Sequence, residues 1–212
     1  VDYNDNGTVK SIMPNHKDAR KVIKKVIVTD MDNVFFPEKQ LVPLIEVVHD
    51  RVTLELFRGC LRGCRFCQAG FVYRPVREKK AETVLKGARR LVDTSGHEEI
   101  SLTSLSTSDF TGFEQLACGL LDEFKDEKVN LSLPSLRIDN FSLDLMQKVQ
   151  EVRKSSLTFA AEAGTQRLRD VINKNLTEEN ILNGCKMAFD GGWDKVKLYF
   201  MLGLPTETEE DL

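Results

Sequence analysis

Residues 52–70 read VTLELFRGCLRGCRFCQAG, a strand-like run that leads directly into three cysteines. Residues 52–56 alternate apolar and polar side chains, which predicts a half-buried β-strand over 52–57. Cys60, Cys64 and Cys67 follow it, separated by three and then two residues. The glycines between and beside them let the backbone wrap closely, so we expect one tight loop that points three thiols inward.

Downstream of this loop, short apolar runs alternate with helical periodicity. Further strands are predicted over 99–105, 129–133, 156–161 and 195–201, with amphipathic helices between them. This alternation predicts right-handed βαβ crossovers and a parallel sheet. We predict an α/β fold and prefer a partial or open (β/α) barrel of TIM type over a doubly wound sheet. In both, the loops after the strands' carboxyl ends carry function.

Residues 1–50 do not follow this repeat, whereas residues 51–212 do. Asp5-Asn6-Gly7 predicts a hairpin turn, and we expect residues 1–50 to be an N-terminal extension, the end of a preceding domain or a linker, packed on the barrel. The chain begins without Met and ends in what looks like a helix start. We therefore expect a fragment truncated after its fifth strand, whose unpaired edge favours self-association.

Composition narrows the class of protein. The chain has 212 residues, 41% of them hydrophobic and 30% charged, which suits a folded domain rather than disorder. A net charge of -3 disfavours a dedicated nucleic-acid module. No apolar run approaches the ~20 residues of a membrane span, and the first residues are not signal-like. We expect a cytoplasmic protein with no membrane association.

The cysteines point to a metal site, and several kinds remain open at this stage. The chain has five cysteines, and this odd number does not favour a framework of disulfide bonds. A structural zinc would need a fourth ligand, yet the three histidines are all single, and Cys118 and Cys185 fall in predicted helices. The alternatives are zinc, a disulfide with one thiol left over, a ferredoxin-like carrier, and a four-iron cluster with three protein ligands. The last leaves one iron open for a substrate or cofactor.

The motif CLRGCRFC resembles the CxxxCxxC motif of radical S-adenosylmethionine (SAM) enzymes. Together with ISLTSLSTSD, AEAGTQRLRDVINKNLTEEN and KLYFMLGLPTETEED, it is most similar to an uncharacterised group whose members often carry a cobalamin-binding-like N-terminal domain. The resemblance covers residues 52–212 and implies a partial (β/α)6 barrel. The Asp-x-His-x-x-Gly cobalamin motif is absent from this sequence, so cobalamin would require a longer full-length protein.

The resemblance also implies a function. A [4Fe-4S] cluster on Cys60, Cys64 and Cys67 would cleave SAM reductively, and the resulting 5'-deoxyadenosyl radical would take hydrogen from an unknown substrate. An electron donor such as flavodoxin or ferredoxin would supply the electron. The alternatives are methyl or methylthio transfer to RNA or protein, and a non-catalytic metal-binding scaffold.

Contacts to SAM are implied at the carboxyl ends of the strands. The implied cofactor-binding residues are Phe66, Ser104, Ser106, Glu162, Arg167, Lys174 and Gly203. Phe66 would lie against the adenine, and Gly203 would allow it a close approach. Ser104 and Ser106 stand where many relatives have Gly-Gly-Glu, the methionine-amine site. Glu162 would bind the ribose hydroxyls or the cationic groups, and Arg167, Arg169 or Lys174 the carboxylate.

Basic residues cluster around the cysteines. Residues 51–80 contain eight basic and two acidic side chains, which could attract an anionic substrate such as RNA, although a solvated helix start is the simpler interpretation. Arg58, Arg62 and Arg65 are expected to favour deprotonated thiolates. Arg137 is a further candidate for binding a carboxylate or phosphate.

Overall fold

Strands and helices alternate through most of the chain in a computed structural model, which describes residues 1–134, 136–140, 142–153 and 156–212. The strands are β1 (Asp2–Tyr3), β2 (Val9–Ser11), β3 (Val52–Glu55), β4 (Phe57–Arg58), β5 (Arg77–Glu78), β6 (Glu99–Thr103), β7 (Asn130–Ser132), β8 (Leu157–Glu162) and β9 (Val196–Phe200). The α-helices are α1 (Ala69–Val72), α2 (Ala81–Ser95), α3 (Phe113–Glu123), α4 (Leu143–Val152), α5 (Gln166–Val171) and α6 (Glu178–Asp190). Short 3-10 turns lie at Thr107–Asp109, Ile138–Asn140 and Glu209–Asp211.

The five predicted strands form parallel ladders in sequential order. β3, β6 and β7 make one sheet in that order, and β8 pairs with β9. In a barrel, neighbouring strands follow one another in chain order, whereas in a doubly wound sheet the strand order reverses partway across the sheet. In the described part of the chain, no ladder joins β7 to β8. The parallel β/α architecture is thus confirmed, while the proposed truncation after the fifth strand stays a prediction.

The helices cover one face of these strands because their apolar residues recur at helical spacing. In α2, Val84, Ala88 and Leu91 are buried and pack with Leu54 of β3. This helix ends where Gly96 takes the left-handed conformation and its N–H donates to the Val92 carbonyl at 2.9 Å. Equivalent stripes on α3 and α4 complete a core in which most large apolar side chains are almost fully buried.

Residues 1–50 begin with the predicted hairpin, and a short part of this segment, residues 31–38, contacts helix α2. β1 and β2 pair antiparallel. Met31 is buried, and the Asp32 carboxylate accepts a hydrogen bond from the Lys80 backbone N–H at the start of α2, at 2.8 Å. Glu38 forms an ion pair with Arg90 of the same helix. These contacts hold residues 31–38 against α2, whereas most side chains of residues 1–30 and 41–50 are exposed. Its status as a separate domain or linker stays a prediction.

The outer edge of β9 is left uncovered by those contacts. Tyr199 and Phe200 are 58% and 52% exposed, and within the described residues β9 pairs with β8 alone. Self-association through this edge stays a prediction. None of the described helices combines the length and apolar character needed to cross a bilayer.

Candidate active site

The cysteine loop, residues 59–68, begins directly after β4 and is shaped by glycine. Gly59 has φ +96°, and a Cβ there would lie 2.8 Å from the Pro75 carbonyl oxygen and 2.9 Å from that of Tyr73. Any other side chain would clash with this backbone, so the turn requires glycine. Cys60, Cys64 and Cys67 are all free thiols of intermediate burial.

The loop is docked on the segment that follows α5. The Arg65 N–H donates to the Ile172 carbonyl at 2.9 Å, and the Asn173 side-chain amide donates to the Gly63 carbonyl at 2.9 Å. Asn173 has φ +55°, a left-handed conformation that asparagine tolerates better than most residues. These bonds join parts of the chain that are more than 100 residues apart in sequence, and they fix the loop at the carboxyl-terminal rim of the barrel.

A second anchor runs from the loop to the loop after β6. The Arg62 guanidinium binds both carboxylate oxygens of Asp109, with Nε to Oδ2 at 2.7 Å, and also contacts Asp139 at 3.4 Å. Burial alone would raise the pKa of Asp109. Hydrogen bonds from Arg62 and Ser106 outweigh that effect and hold its pKa below the ordinary range. Asp109 is therefore a buried anion with a matched cation from the cysteine loop.

Arg137 extends this network. Its guanidinium binds both oxygens of Asp139 at 2.9 and 3.1 Å and reaches the Lys174 carbonyl at 3.5 Å. The sequence offered Arg137 as a receptor for an external carboxylate or phosphate. In the structure, the two shortest hydrogen bonds of the Arg137 guanidinium instead go to the Asp139 carboxylate of the chain itself.

Glu162 and Lys174 form an ion pair on the same rim. Lys174 Nζ lies 3.0 Å from Glu162 Oε1, and their side chains are 10% and 16% exposed respectively. Glu162 ends β8 at a register shift and has φ +69°. A left-handed glutamate costs about 1–2 kcal/mol, and strained residues of this kind concentrate at functional sites.

The electrostatic surroundings of Cys64 connect these groups to the thiols. Burial raises the pKa of the Cys64 thiol, and the charges of Lys174 and Arg137 partly oppose that effect. Cys60 and Cys67 also raise it, so the three sulfurs lie within electrostatic reach of one another. A bound metal deprotonates its thiol ligands outright, and the nearby cations would offset the resulting negative charge.

The donor set fits an iron–sulfur cluster by its chemistry. Three free thiols on one loop match the soft ligands that such clusters use. Across the described residues, no three or more His, Cys, Asp or Glu side chains are already gathered as a metal-binding set, so the thiols would have to converge as the cluster binds. None of the five cysteines forms a disulfide, so the alternative of a disulfide in the loop is wrong.

The histidines offer no fourth ligand for zinc. His97 is held by Asp50 and Gln40, His49 contacts Arg51, and His16 contacts Asp18. These positions belong to the N-terminal segment and the far ends of the strands. The described contacts thus place none of the three histidines in the cysteine loop.

The other sequence-predicted contacts are distributed around the rim. The Ser104 and Thr107 hydroxyls lie 3.1 Å apart, and the Ser106 hydroxyl is buried and donates to Asp109 at 2.7 Å. Phe66 is 41% exposed on the cysteine loop. The serines thus serve the network that holds the loop, although their oxygens retain lone pairs that can accept hydrogen bonds.

Arg167, on α5, contacts the last residues of the chain, and Gly203 follows β9. Arg167 forms an ion pair with Asp211 and donates to the Thr206 carbonyl at 2.9 Å. Gly203 has φ +79° and is exposed, with open space around its Cβ position. Arg169, the third cation considered for the SAM carboxylate, is buried and donates to the carbonyls of residues 163, 164 and 176. Lys174 alone of the three cations lies beside Glu162.

The expectation that three flanking arginines act on the thiolates needs correction. Arg58 is bound to Glu55 at 2.7 and 3.1 Å, and the Arg65 guanidinium donates to main-chain carbonyls at the end of α5. Arg62 lies within electrostatic reach of Cys60, but its guanidinium hydrogen bonds go to Asp109 and Asp139. The cations that act on Cys64 come instead from distant positions, Arg137 and Lys174.

Sequence reasoning missed the residues that hold the loop in place, namely Asp109, Asp139 and Asn173. Asp109 stands within the motif ISLTSLSTSD, which was considered only for its hydroxyls. An acidic residue after a strand of a predicted βα unit was the available signal for Asp109. No sequence pattern pointed to Asn173, because its role depends on a contact with Gly63.

Comparison with known proteins identifies the family of this chain. Residues 54–212 match the Radical SAM superfamily, and the chain belongs to that family. The [4Fe-4S] cluster and SAM are the cofactors of this class of protein.

Similar proteins include two from Methanocaldococcus jannaschii and a methyltransferase of known structure. An uncharacterised protein of Methanocaldococcus jannaschii is 40% identical over 75% of this chain and 34% of its own length. A putative methylthiotransferase of the same organism is 28% identical over 76% of this chain and 37% of its own length. The radical SAM methyltransferase TsrM from Kitasatospora setae, solved with cobalamin and a [4Fe-4S] cluster, has a TM-score of 0.60 at 11% identity, over 76% of this chain and 30% of that one. The chain thus spans about a third of the length of these relatives.

Proposed function

We propose that this chain forms the catalytic core of a radical SAM enzyme in which Cys60, Cys64 and Cys67 ligate a [4Fe-4S] cluster. The observation that carries the proposal is the cysteine loop itself, fixed at the barrel rim by Arg62 and Asn173. When bound and reduced, the cluster supplies the electron that splits SAM into methionine and a 5'-deoxyadenosyl radical, which takes hydrogen from the substrate.

The Glu162–Lys174 pair is the proposed binding site for the amino-acid part of SAM. That part carries an ammonium and a carboxylate on one carbon, so a receptor needs an anion beside a cation. Glu162 and Lys174 supply those charges 3.0 Å apart, and Lys174 acts electrostatically on Cys64. We propose that Lys174 binds the carboxylate and Glu162 the ammonium or ribose hydroxyls. Arg167 is a weaker candidate because Asp211 already occupies its guanidinium.

Phe66, Ser104, Ser106 and Gly203 complete the proposed SAM site. Phe66 is exposed on the cysteine loop, where its ring is free to stack on a base. Ser104 and Ser106 can accept hydrogen bonds but carry no charge, so they can only assist the binding of an ammonium. Gly203 follows β9, and its open surroundings would admit the adenine ring.

The net reaction has two candidates. Hydrogen abstraction from an unidentified substrate follows from the class of site alone. Methylthio transfer is favoured by one specific observation, the similarity to a putative methylthiotransferase. Hydrogen abstraction yields methionine and 5'-deoxyadenosine from SAM, whereas a methylthio transfer whose methyl group comes from a second SAM would leave S-adenosylhomocysteine as well. Product analysis therefore separates the two candidates.

The charges around the loop give limited support for an anionic substrate. Arg51, Arg58 and Arg62 are paired with carboxylates, and Arg65 and Arg77 donate to carbonyls. The excess of basic residues counted in the sequence is therefore largely satisfied within the chain. RNA stays an alternative substrate rather than the preferred one. A low-potential donor such as flavodoxin or ferredoxin is proposed as the electron source, and cobalamin is assigned to none of these residues.

Anaerobic reconstitution tests the proposal. Wild-type protein should take up about four irons and four sulfides and form 5'-deoxyadenosine from SAM under dithionite. Cys64→Ala should lose both properties while its circular dichroism stays native. The matched controls Cys118→Ala and Cys185→Ala remove cysteines of α3 and α6 and should retain both. A cluster that survives in Cys64→Ala would refute the assignment of ligands, and a loaded cluster without SAM cleavage would favour a non-catalytic scaffold.

A further inference from the structure

A cavity of about 320 Å³ lies between residues 32–38, the end of β3 and helix α2. We call it the α2 cavity. Its walls combine apolar side chains, among them Phe36, Leu54 and Val84, with charged ones. This volume and mixture are typical of sites for small organic ligands. None of the residues assigned above to the cluster or to SAM lines it.

A buried lysine points to the kind of ligand. Lys79 lines the α2 cavity and is only 8% exposed. Its ammonium lies 4.5 Å from the centre of the Phe36 ring, and in the described residues it has no carboxylate or carbonyl within hydrogen-bond distance. Burial lowers the pKa of this amine. Lysine is rarely buried without a partner. The charges of Glu55 and Asp32 act on Lys79 from a distance, so what the ammonium lacks among the described residues is a hydrogen-bonded anion.

The carboxylates around the α2 cavity are already committed to other groups. Glu38 pairs with Arg90, and Glu55 binds Arg58 through two hydrogen bonds. Asp32 accepts from the Lys80 N–H at 2.8 Å and lies 3.9 Å from the Lys80 ammonium. The cations left over on the cavity wall are Lys79 and, at its exposed side, Lys86.

We propose that the α2 cavity is a binding site for a small organic anion, with a carboxylate bound by Lys79 and an apolar body seated against Phe36, Leu54 and Val84. The carboxylate would supply the charged hydrogen-bond partner that Lys79 lacks. Lys86 would approach the same group from the open side. The proposal does not depend on the cluster or on SAM.

Benzoate is a suitable probe because it combines a carboxylate with an apolar ring, and benzamide is its uncharged match. In the full chain with labelled methyl groups, benzoate should shift the NMR signals of Leu54 and Val84 saturably. Its affinity should fall about tenfold or more in Lys79→Met, since a charged hydrogen bond is lost. Lys125→Met, which removes an exposed lysine away from the cavity, should bind like wild type. Benzamide should bind wild type at least about tenfold more weakly than benzoate.

Three results would overturn the proposal. These are equal benzoate affinity in wild type and Lys79→Met, equal affinity of wild type for benzoate and benzamide, and no saturable shift of Leu54 or Val84 at millimolar benzoate. Should Lys79→Met fail to fold, Lys86→Met provides the second measurement. It removes an exposed cation at the cavity mouth, and it should weaken benzoate binding while leaving benzamide binding unchanged.

Discussion

Replacing Asp109 with asparagine tests whether the Arg62 anchor holds the cysteine loop. The Asp109 carboxylate accepts from Arg62 Nε at 2.7 Å, from the Ser106 hydroxyl at 2.7 Å and from the Asn140 amide at 3.1 Å, besides its contact with Arg62 Nη2. Asparagine keeps the size of this side chain but loses its charge. It also replaces one oxygen by an amide that cannot accept from Arg62.

The expected loss of stability follows from the burial of the pair. Removing one partner of a fully buried ion pair costs about 3–5 kcal/mol. The side chains of Arg62 and Asp109 are 25% and 12% exposed, and Arg62 keeps a contact with Asp139. The loss should therefore be about 2 kcal/mol, below the fully buried range. With a urea slope of about 2 kcal/mol/M, the unfolding midpoint would fall by about 1 M.

Two measurements separate an anchor from a merely stabilising pair. Urea unfolding gives the free energy, and hydrogen exchange of residues 60–67 reports whether the loop opens locally. In Asp109→Asn, exchange in the loop should rise more than exchange in β6, and iron uptake on reconstitution should fall. Asp122→Asn alters an exposed carboxylate on α3 and serves as the matched control. A midpoint and loop exchange that are the same in both variants would refute the anchor.

Two further predictions concern the backbone of the loop and the end of the chain. Gly59→Ala should lower the unfolding free energy by about 2 kcal/mol, because residue 59 has a left-handed φ and the new Cβ would lie 2.8 Å from the Pro75 oxygen. Urea unfolding checks this against the control Gly70→Ala, whose new Cβ meets open space. Equal unfolding midpoints of the two variants would contradict the prediction. Hydrogen bonds, chiefly that from Arg167, hold the pKa of Asp211 in the folded protein well below its ordinary value of 3.8. The ionised carboxylate therefore stabilises the fold fully above pH 3.8, and this stabilisation is lost as the pH falls through the folded-state pKa. The melting temperature of Asp211→Asn should therefore lie below that of wild type at neutral pH, and the gap should narrow in acid; a constant gap would count against this pair.

The strands and helices were predictable because each needs only local information. The predicted strand over 156–161 corresponds to β8 at Leu157–Glu162, and the one over 195–201 to β9 at Val196–Phe200. Each strand or helix must bury one face, so its apolar residues recur at a regular spacing that is visible within a short stretch of sequence. The same argument located α2 and its end at Gly96. The short antiparallel pairing of β4 with β5 was not predicted, since each strand has only two residues.

The sequence was sufficient to propose the ligands of the candidate site, but it did not indicate the residues that support them. The three cysteines are close in sequence, so their spacing alone identifies them. The charges around them come from residues 109, 137, 162 and 174, which reach the rim only once the strands are side by side. Sequence reasoning therefore assigned the flanking arginines to the thiols, whereas the fold pairs Arg58 and Arg62 with the carboxylates of Glu55 and Asp109.

The conformation of Glu162 connects the stability of the fold to its proposed chemistry. A register shift and a left-handed φ at the end of β8 cost stability, and a glycine would adopt this conformation without strain. Glutamate stands there instead, bound to Lys174 on the segment after α5 that also holds the cysteine loop through Asn173. The same short segment thus positions both the thiols and the charge pair. A ligand that contacts both an open cluster site and a receptor for a zwitterion would find both beside this one segment, and this proximity is what the proposed binding of SAM requires.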